Sequence, residues 1–517
     1  MSIIDRINPV MLKELRQMVR NRSIVISLIG FLTVLFIAST ICLTVAIGED
    51  ISGTSATGSY TVTNAGGSIL HVIISTVTGI LVSFAIPFMV MNRVAVEFKK
   101  ENVDLQYTTL LPPRAFVDGK ALCGVLLSAV IALAALPFLM LAYLLRGIDM
   151  FSILFSTLFT ILSSVLFCYF AVGIGAAKFN IVLKRAFFIF FAYSLCSSTI
   201  GLVSAFAMGG HFGSGAPSSV WMVSPDSTTG LILAFFIYAC IVFLLRANTV
   251  MLMTPANFNR NRPVRLSWLL VWGITLVYTL VMYKIDGDRD YIFIWGIVAF
   301  LPMFLFQFLQ SVSDVGMYSR RVRAEISRNK FRRCFQYLFF DGGEGGVCFS
   351  LLIFMLTVLV LVSGFCLSPG KGMDADDYRK AFFGFTIIAG YLVSVPLIVR
   401  SICLFIPKLA KKKLILVFSA IVLVLLSVVP MLLSIPRVSA GSEADFIWKT
   451  VGNIPGVVNA LVRDDDQLSW HFGAAMTMLG IGIVLTLPNL LKSRREFVPL
   501  AGTTSQHAHV TKSDVPE

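Results

Sequence analysis

Residues 93–120 read RVAVEFKKENVDLQYTTLLPPRAFVDGK, a charged segment of 28 residues between apolar runs at about 68–92 and 121–144. Each of these runs is near the ~20 residues that a helix needs to cross a bilayer. The segment itself is too long for a turn and too regularly patterned for a slack loop. We therefore expect it to join two membrane-spanning helices and to present a structured surface to the water on one side of the membrane.

The composition of the whole chain agrees with this expectation. Of its 517 residues, 57% are hydrophobic and only 14% are charged, whereas soluble proteins have about 25% charged residues. The sequence predicts an all-α, polytopic integral membrane protein with about twelve transmembrane helices. The predicted spans lie at about 23–47, 68–92, 121–144, 151–177, 186–207, 228–245, 266–283, 291–310, 347–368, 381–399, 414–436 and 470–491.

The distribution of charge predicts the orientation of these spans. With residue 1 inside, 33 of the 42 Lys and Arg residues fall in inner segments and 9 in outer loops. Both termini are therefore expected to be cytoplasmic. Topology thus accounts for the net charge of +14, and no nucleic-acid partner is required. His71 and His471 lie at the outer ends of their runs, where a side chain can reach the headgroups.

All 28 Asp and Glu residues lie outside the apolar runs. Their absence from the runs argues against proton-coupled transport, which usually needs an ionisable group at membrane depth. Sodium sites built from carbonyl and hydroxyl groups stay open.

The same pattern predicts how the chain is organised. Asn8 can cap a helix and Pro9 suits its first position, and the apolar side chains that follow fall on one face, as in a helix lying in the headgroup layer. That face consists of Met11, Leu15, Met18 and Val19. The predicted parts are an interfacial helix at 1–22, a six-span half at 23–246, a cytoplasmic linker at 247–265, a second six-span half at 266–491 with an inner loop at 311–346, and a disordered cytoplasmic tail at 492–517.

Motifs that would indicate catalysis are absent from the sequence. There is no G-x-x-x-x-G-K-[ST] phosphate loop, so the chain has no such route to ATP binding. Neither an H-E-x-x-H zinc motif nor a G-x-S-x-G nucleophile motif occurs. The nine cysteines show no paired metal spacing. We expect a transport subunit that is not an enzyme and that binds no metal or cofactor of its own.

Two segments resemble parts of ABC transporter permeases of the type-two (exporter) class. Residues 8–22 resemble the elbow helix of that family, which often opens N-P-x-x-x-K-E-L-R, and residues 93–120 resemble its first cytoplasmic loop, E-R-x-x-G-T-L-E-L-L-L-L-T-P-L-S-P-R followed by G-K. The elbow positions are Asn8, Pro9, Lys13, Glu14, Leu15, Arg16 and Arg20, and the loop positions are Glu97, Val103, Asp104, Leu105, Thr109, Leu111, Pro113, Arg114, Gly119 and Lys120.

The match has departures and one further point of similarity. Phe98, Glu101, Asn102, Leu110 and Pro112 replace the residues that are usual at their positions. Residues 311–346 are similar to the second large inner loop of members with about twelve spans, through Arg320, Arg321, Arg323, Arg332, Arg333 and Gly342.

The resemblance implies that residues 104–111 form a coupling helix ended by Pro112 and Pro113. In the family this helix docks in a groove of a separate nucleotide-binding ATPase subunit, which carries the ATP and magnesium. Apolar anchors would come from Leu105, Tyr107 and Leu110, and Asp104 and Arg114 would orient the dock. Glu97, Thr109 and Lys120 complete the expected docking set. The implied location is the bacterial cytoplasmic (inner) membrane, in contact with lipid.

Several alternatives stay open. Residues 93–120 could be an ordinary inner loop whose basic residues only fix topology. The chain could be a transporter or lipid flippase that needs no ATP, or a membrane scaffold that recruits a soluble complex. A homo-oligomer and a second permease chain are both compatible with the sequence, which names no substrate.

Overall fold

The computed structural model describes most of the chain. The described residues are 9–20, 22–52, 65–98, 112–145, 148, 150–177, 181–190, 192–193, 225–255, 258–286, 291–296, 307–314, 318–366, 375–406, 409, 414–426, 457 and 467–499. Within these ranges the secondary structure is helical and no strand occurs. The predicted coupling helix at 104–111 and the predicted tail beyond residue 499 lie outside the described residues.

The helices are numbered here in chain order. They are α1 Pro9–Val19, α2 Arg22–Ser52, α3 Ala65–Ile80, α4 Ile86–Glu97, α5 Pro113–Leu144, α6 Met150–Ala176, α7 Pro225–Met253, α8 Asn261–Asp286, α9 Leu309–Ser313, α10 Arg320–Ala324, α11 Lys330–Phe339, α12 Gly343–Cys366, α13 Ala375–Phe405 and α14 Gln467–Glu496. Residues 181–190, 291–296 and Leu414–Leu426 are also helical.

Within the described ranges, nine helices are long and apolar enough to cross a membrane. The protein is therefore an all-α, multi-pass membrane protein, as predicted. The other predicted spans, at 186–207, 291–310 and 414–436, are only partly described, so the count of about twelve stays a prediction. Several helices extend beyond the predicted apolar runs and so include charged residues near their ends, such as Lys120 and Arg400.

The chain divides into two compact units, Met1–Thr254 and Pro255–Glu517. The boundary falls within the segment 247–265 that the sequence suggested as a linker. Most of that segment is nevertheless helical, because α7 continues to Met253 and α8 begins at Asn261.

In the first unit, α5 and α6 pack against each other and against most of the other helices. A π-helical turn at Leu81–Ala85 joins α3 to α4, so that the three form one span. Pro87 explains this turn, since it has no N–H to donate to the carbonyl of Ser83. The core near the α4–α5 connection includes Met18, Val90, Met91, Val94, Val117, Ala121, Cys123, Cys168 and Val172.

Gly175 allows α6 to lie close against α4. A Cβ atom at this position would lie 2.8 Å from Val94 Cβ and 2.9 Å from the carbonyl oxygen of Met91. Small residues allow helices in membranes to approach this closely. Gly173 lies equally close to α7, because a Cβ atom there would lie 2.9 Å from Thr249 Oγ1.

Replacing Gly175 with valine should therefore force α6 away from α4 and destabilise the first unit by about 1–3 kcal/mol. The measurement is the SDS concentration that unfolds the protein in mixed micelles. Gly30→Val is the matched control, because a Cβ at Gly30 would meet nothing within 4 Å. Equal stability of the two variants would contradict the close packing.

In the second unit, α13 and α14 pack along each other, and α12 packs against both. Their core includes Phe308, Val312, Phe354, Leu361, Val393, Leu397 and Leu479.

A smaller cluster forms where α10, α11 and the end of α14 meet, and it contains Val322, Ile326, Phe340 and Phe497. Burial raises the pKa of Tyr318 and Tyr337 in this cluster, so both phenols stay protonated. Each hydroxyl lies 3.2 Å from the Ser493 hydroxyl.

The expectation that His71 and His471 reach the headgroups is wrong, because both are buried. His71 Nε2 lies 3.2 Å from Ser156 Oγ, and His471 Nδ1 lies 3.2 Å from Tyr391 Oη. The physical reason is that a hydroxyl on a neighbouring helix can satisfy an imidazole within the helix packing. These histidines therefore connect helices inside each unit.

Candidate functional site

Helix α1 buries a carboxylate on its inner face. Val10, Glu14 and Met18 are its buried residues, and their spacing of four places them along one side of the helix. Val19, which the sequence assigned to the apolar face, is 63% exposed. The inner face is therefore rotated from the predicted one, and it places Glu14 against α5.

Lys120 on α5 joins this carboxylate to a second one. Its Nζ atom lies 2.7 Å from Glu14 Oε1 and 2.7 Å from Glu97 Oε2. Arg93 Nη1 lies 3.9 Å from the other oxygen of Glu14. The ammonium also lies 4.9 Å from the centre of the Phe116 ring. We call Glu14, Arg93, Glu97 and Lys120 the loop-base cluster, because Glu97 ends α4 and Lys120 follows the start of α5.

Burial determines what this cluster can do. The side chains of Lys120 and Glu14 are 3% and 6% exposed, so both charges depend on each other for compensation. Arg93 and Glu97 are more exposed and balance the cluster, which has two positive and two negative groups. A buried ion pair adds little net stability, but removing one partner leaves an uncompensated charge at high cost. The cluster therefore fixes the relative positions of α1, α4 and α5.

A second ion pair lies two residues earlier on α5, at Asp118. Arg246 on α7 donates hydrogen bonds to both oxygens of the Asp118 carboxylate, from Nε to Oδ1 at 2.7 Å and from Nη2 to Oδ2 at 2.5 Å. Tyr169 on α6 donates to the same carboxylate at 3.0 Å. A two-point arginine contact fixes orientation as well as distance. The start of α5 is thus tied to α1, α4, α6 and α7.

The structure brings together only part of the predicted site. Glu14, Glu97 and Lys120 meet in the loop-base cluster, while Arg114 is exposed at the start of α5. On α1, the predicted residues Pro9, Lys13, Arg16 and Arg20 are also exposed and are not part of the cluster. The remaining predicted residues, Asn8, Asp104, Leu105, Tyr107, Thr109 and Leu110, lie outside the described residues.

Sequence reasoning missed Arg93, Asp118, Tyr169 and Arg246 as partners in this region. One signal was available, because Glu14 lies midway between Val10 and Met18 at helical spacing. A carboxylate in the middle of an apolar stripe predicts a buried cation nearby. The identity of that cation could not be read, since Lys120 is 106 residues away.

The second unit contains a separate set of buried arginines. Arg265 donates to the carbonyl oxygens of Leu338, Phe340 and Gly342, at 2.9, 2.6 and 3.0 Å. Gly342 has a φ of +133°, a conformation that favours glycine. Arg400 donates to the carbonyl oxygens of Ser311 and Val312 and pairs with Glu344 at 2.5 Å. These arginines hold the backbone between α9 and α12.

Comparisons with protein-family models, with curated proteins and with solved structures gave no match for this chain. Among the described residues, no group of three or more His, Cys, Asp or Glu side chains could hold a metal ion. The loop-base cluster is therefore interpreted from its own geometry. It is a buried, ion-paired junction of α1, α4 and α5, and it lies at both ends of the connection between α4 and α5.

Proposed function

We propose that this chain is the membrane-spanning permease subunit of an ABC transporter in a bacterial cytoplasmic membrane. Export is the proposed direction, and a separate nucleotide-binding subunit supplies ATP hydrolysis. The observation that carries the proposal is the loop-base cluster, in which Lys120 links Glu97 at one end of the proposed coupling loop to Glu14 on the elbow-like helix.

The cluster supports this proposal through its mechanics. A docking loop can drive a membrane bundle only if its ends are fixed to the helices that must move. Here α4 enters the loop and α5 leaves it, and the cluster joins both to α1. A displacement of residues 104–111 would thus be passed to three helices together. The resemblance of residues 8–22 and 93–120 to the family supports the same assignment from the sequence.

The proposed docking surface can be tested by charge substitution. The double variant Tyr107→Asp/Leu110→Asp should lose binding to the nucleotide-binding ATPase subunit that the proposal expects to co-purify with the parent chain, because buried carboxylates in an apolar anchor are strongly unfavourable. Transport-coupled ATP hydrolysis in proteoliposomes should fall to the level of the ATPase subunit alone. The measurements are co-purification and the rate of phosphate release.

Tyr60→Asp/Val62→Asp is the matched control, because it also adds two carboxylates, in the predicted outer loop at 48–67 between the first two spans. It should leave binding and hydrolysis unchanged. Undiminished binding by the double variant would contradict docking at 104–111. Gradient-driven flux by the chain alone, without ATP, would favour the ATP-independent transporter instead.

A further inference from the structure

Helix α11 turns its apolar face away from the protein. Phe331 is 73% exposed and Phe335 is 56% exposed, with their rings 5.4 Å apart. Cys334, between them, is also exposed, and Leu338 continues the row at helical spacing. The apolar stripe of this amphipathic helix thus points outward, where a soluble protein would place polar residues.

The opposite side of α11 faces the protein, where the Tyr337 ring lies 5.4 Å from the Phe497 ring and polar groups form hydrogen bonds. Gln336 accepts a hydrogen bond from the backbone N–H of Ser327 at 2.7 Å, and the Tyr337 hydroxyl donates to Ser493 at 3.2 Å. No residue of α11 is fully buried. These hydrogen bonds and the ring contact on the inner side therefore fix which face the helix presents outward.

Cations flank the exposed aromatic stripe. Lys330 and Arg332 are exposed on α11, and on a helical projection they fall on opposite sides of Phe331. The stretch from 326 to 340 contains four Lys and Arg residues and no Asp or Glu. Basic residues beside Phe and Leu are the composition of helices that lie in an anionic lipid interface.

The attachment of α11 sets it at the level where two spans begin. Arg265, in the second turn of α8, donates to the carbonyl oxygens of Leu338 and Phe340 at the end of α11. The Phe339 ring lies 5.6 Å from the Phe349 ring of α12. Both α8 and α12 are candidate membrane spans, so their starts mark the boundary of the apolar layer.

We propose that α11 lies in the headgroup layer and binds anionic lipid. Phe331 and Phe335 insert at the acyl boundary, and Lys330 and Arg332 contact the lipid phosphates. The proposal rests on the membrane location of the chain and not on the proposed ATPase partner. A protein groove is the other occupant that an exposed aromatic stripe could accept, and charge on both sides of the stripe favours lipid.

Cys334 provides the probe for a direct test. The full chain, with its other eight cysteines replaced by serine or alanine, is labelled at Cys334 with an environment-sensitive fluorophore in lipid nanodiscs. We expect a blue-shifted emission that nitroxide lipids quench most strongly when the nitroxide is near the headgroup. The shift should increase with the fraction of phosphatidylglycerol and decrease with salt.

Two sets of variants separate the charge from the apolar contact. Lys330→Gln/Arg332→Gln should weaken the dependence of the blue shift on phosphatidylglycerol by about fivefold per cation removed. Arg320→Gln removes an exposed cation on α10 and should leave that dependence unchanged. Phe331→Ser/Phe335→Ser should remove the blue shift, and Phe405→Ser, at an exposed end of α13, should keep it.

The parent labelled chain decides the proposal even if a variant misfolds. Emission typical of water in every lipid composition, with no quenching by nitroxide lipids, would overturn it. A label that is free in nanodiscs and becomes covered only when the ATPase subunit is added would also overturn it, and would assign the stripe to a protein partner.

Discussion

Replacing Lys120 with methionine is expected to destabilise the first unit by about 3–5 kcal/mol, the usual cost of breaking a buried ion pair. The reason is that Glu14 would stay buried with Arg93 as its remaining cation, at 3.9 Å. Methionine fills a volume similar to that of lysine, so the loss comes from charge and not from a cavity. The measurement is SDS-induced unfolding of the purified chain.

The double variant Glu14→Gln/Lys120→Met separates charge compensation from packing. It removes both buried charges, and replacing a buried ion pair with uncharged groups is often nearly neutral. Its stability should therefore return most of the way to that of the parent. Lys13→Met, at an exposed lysine of the same helix α1, is the matched control and should have little effect.

The same variants test the mechanical role of the cluster. If the junction passes motion from the proposed coupling loop to the helices, Lys120→Met should bind the ATPase subunit and yet lose substrate-stimulated hydrolysis. The double variant should regain stability but not coupling, because a neutral pair packs well yet does not hold α1 and α5 together as strongly as an ion pair. Full coupling in Lys120→Met would contradict the mechanical role and leave the ion pair a purely structural one.

The fold class was readable from the sequence because it depends on composition over long windows. Runs near 20 apolar residues have few ways to be satisfied other than as spanning helices, and the structure has helices at the described runs. The ends of those helices were less readable. The predicted span at 121–144 belongs to a helix that begins at Pro113 in the structure. Its first two turns contain charged residues, and they are still helical because neighbouring helices pack against them.

The candidate site was only partly readable because it depends on contacts between distant residues. Arg265 and Arg400 counted as ordinary inner-side cations in the sequence, although both are buried and hold backbone carbonyls. Each arginine lies at the edge of an apolar run. A cation there fixes the topology whether its side chain points into the protein or into the water, so the topology does not reveal that the side chain is buried. The apolar neighbours Val264 and Leu266 were the available signal for Arg265.

Replacing Arg265 with methionine is expected to have the second large effect, a loss of about 3–5 kcal/mol in the stability of the second unit. Three buried carbonyl oxygens would lose charged donors, and each such hydrogen bond contributes about 1.5–3 kcal/mol without being additive. Arg265→Lys should recover only part of this loss, because an ammonium cannot reproduce the two-armed geometry of the guanidinium. SDS-induced unfolding measures both.

Arg262→Met is the matched control, since Arg262 lies one turn earlier on α8 and is exposed. It removes the same charge from the same helix and should change stability by less than about 0.5 kcal/mol. A loss equal to that of Arg265→Met would mean that net charge, and not the carbonyl contacts, stabilises this region.

The position of these contacts also predicts which part of the second unit unfolds first in Arg265→Met. Arg265 holds the carbonyl oxygens of Leu338 and Phe340, which end α11, so its loss should free that helix before the spans themselves unfold. A fluorophore at Cys334 should then report a more variable environment at SDS concentrations where α8 and α12 remain folded. If the environment of Cys334 changed only at the SDS concentration that unfolds α8 and α12, then α11 and the spans would unfold as one cooperative unit. Arg265 would then stabilise that whole unit.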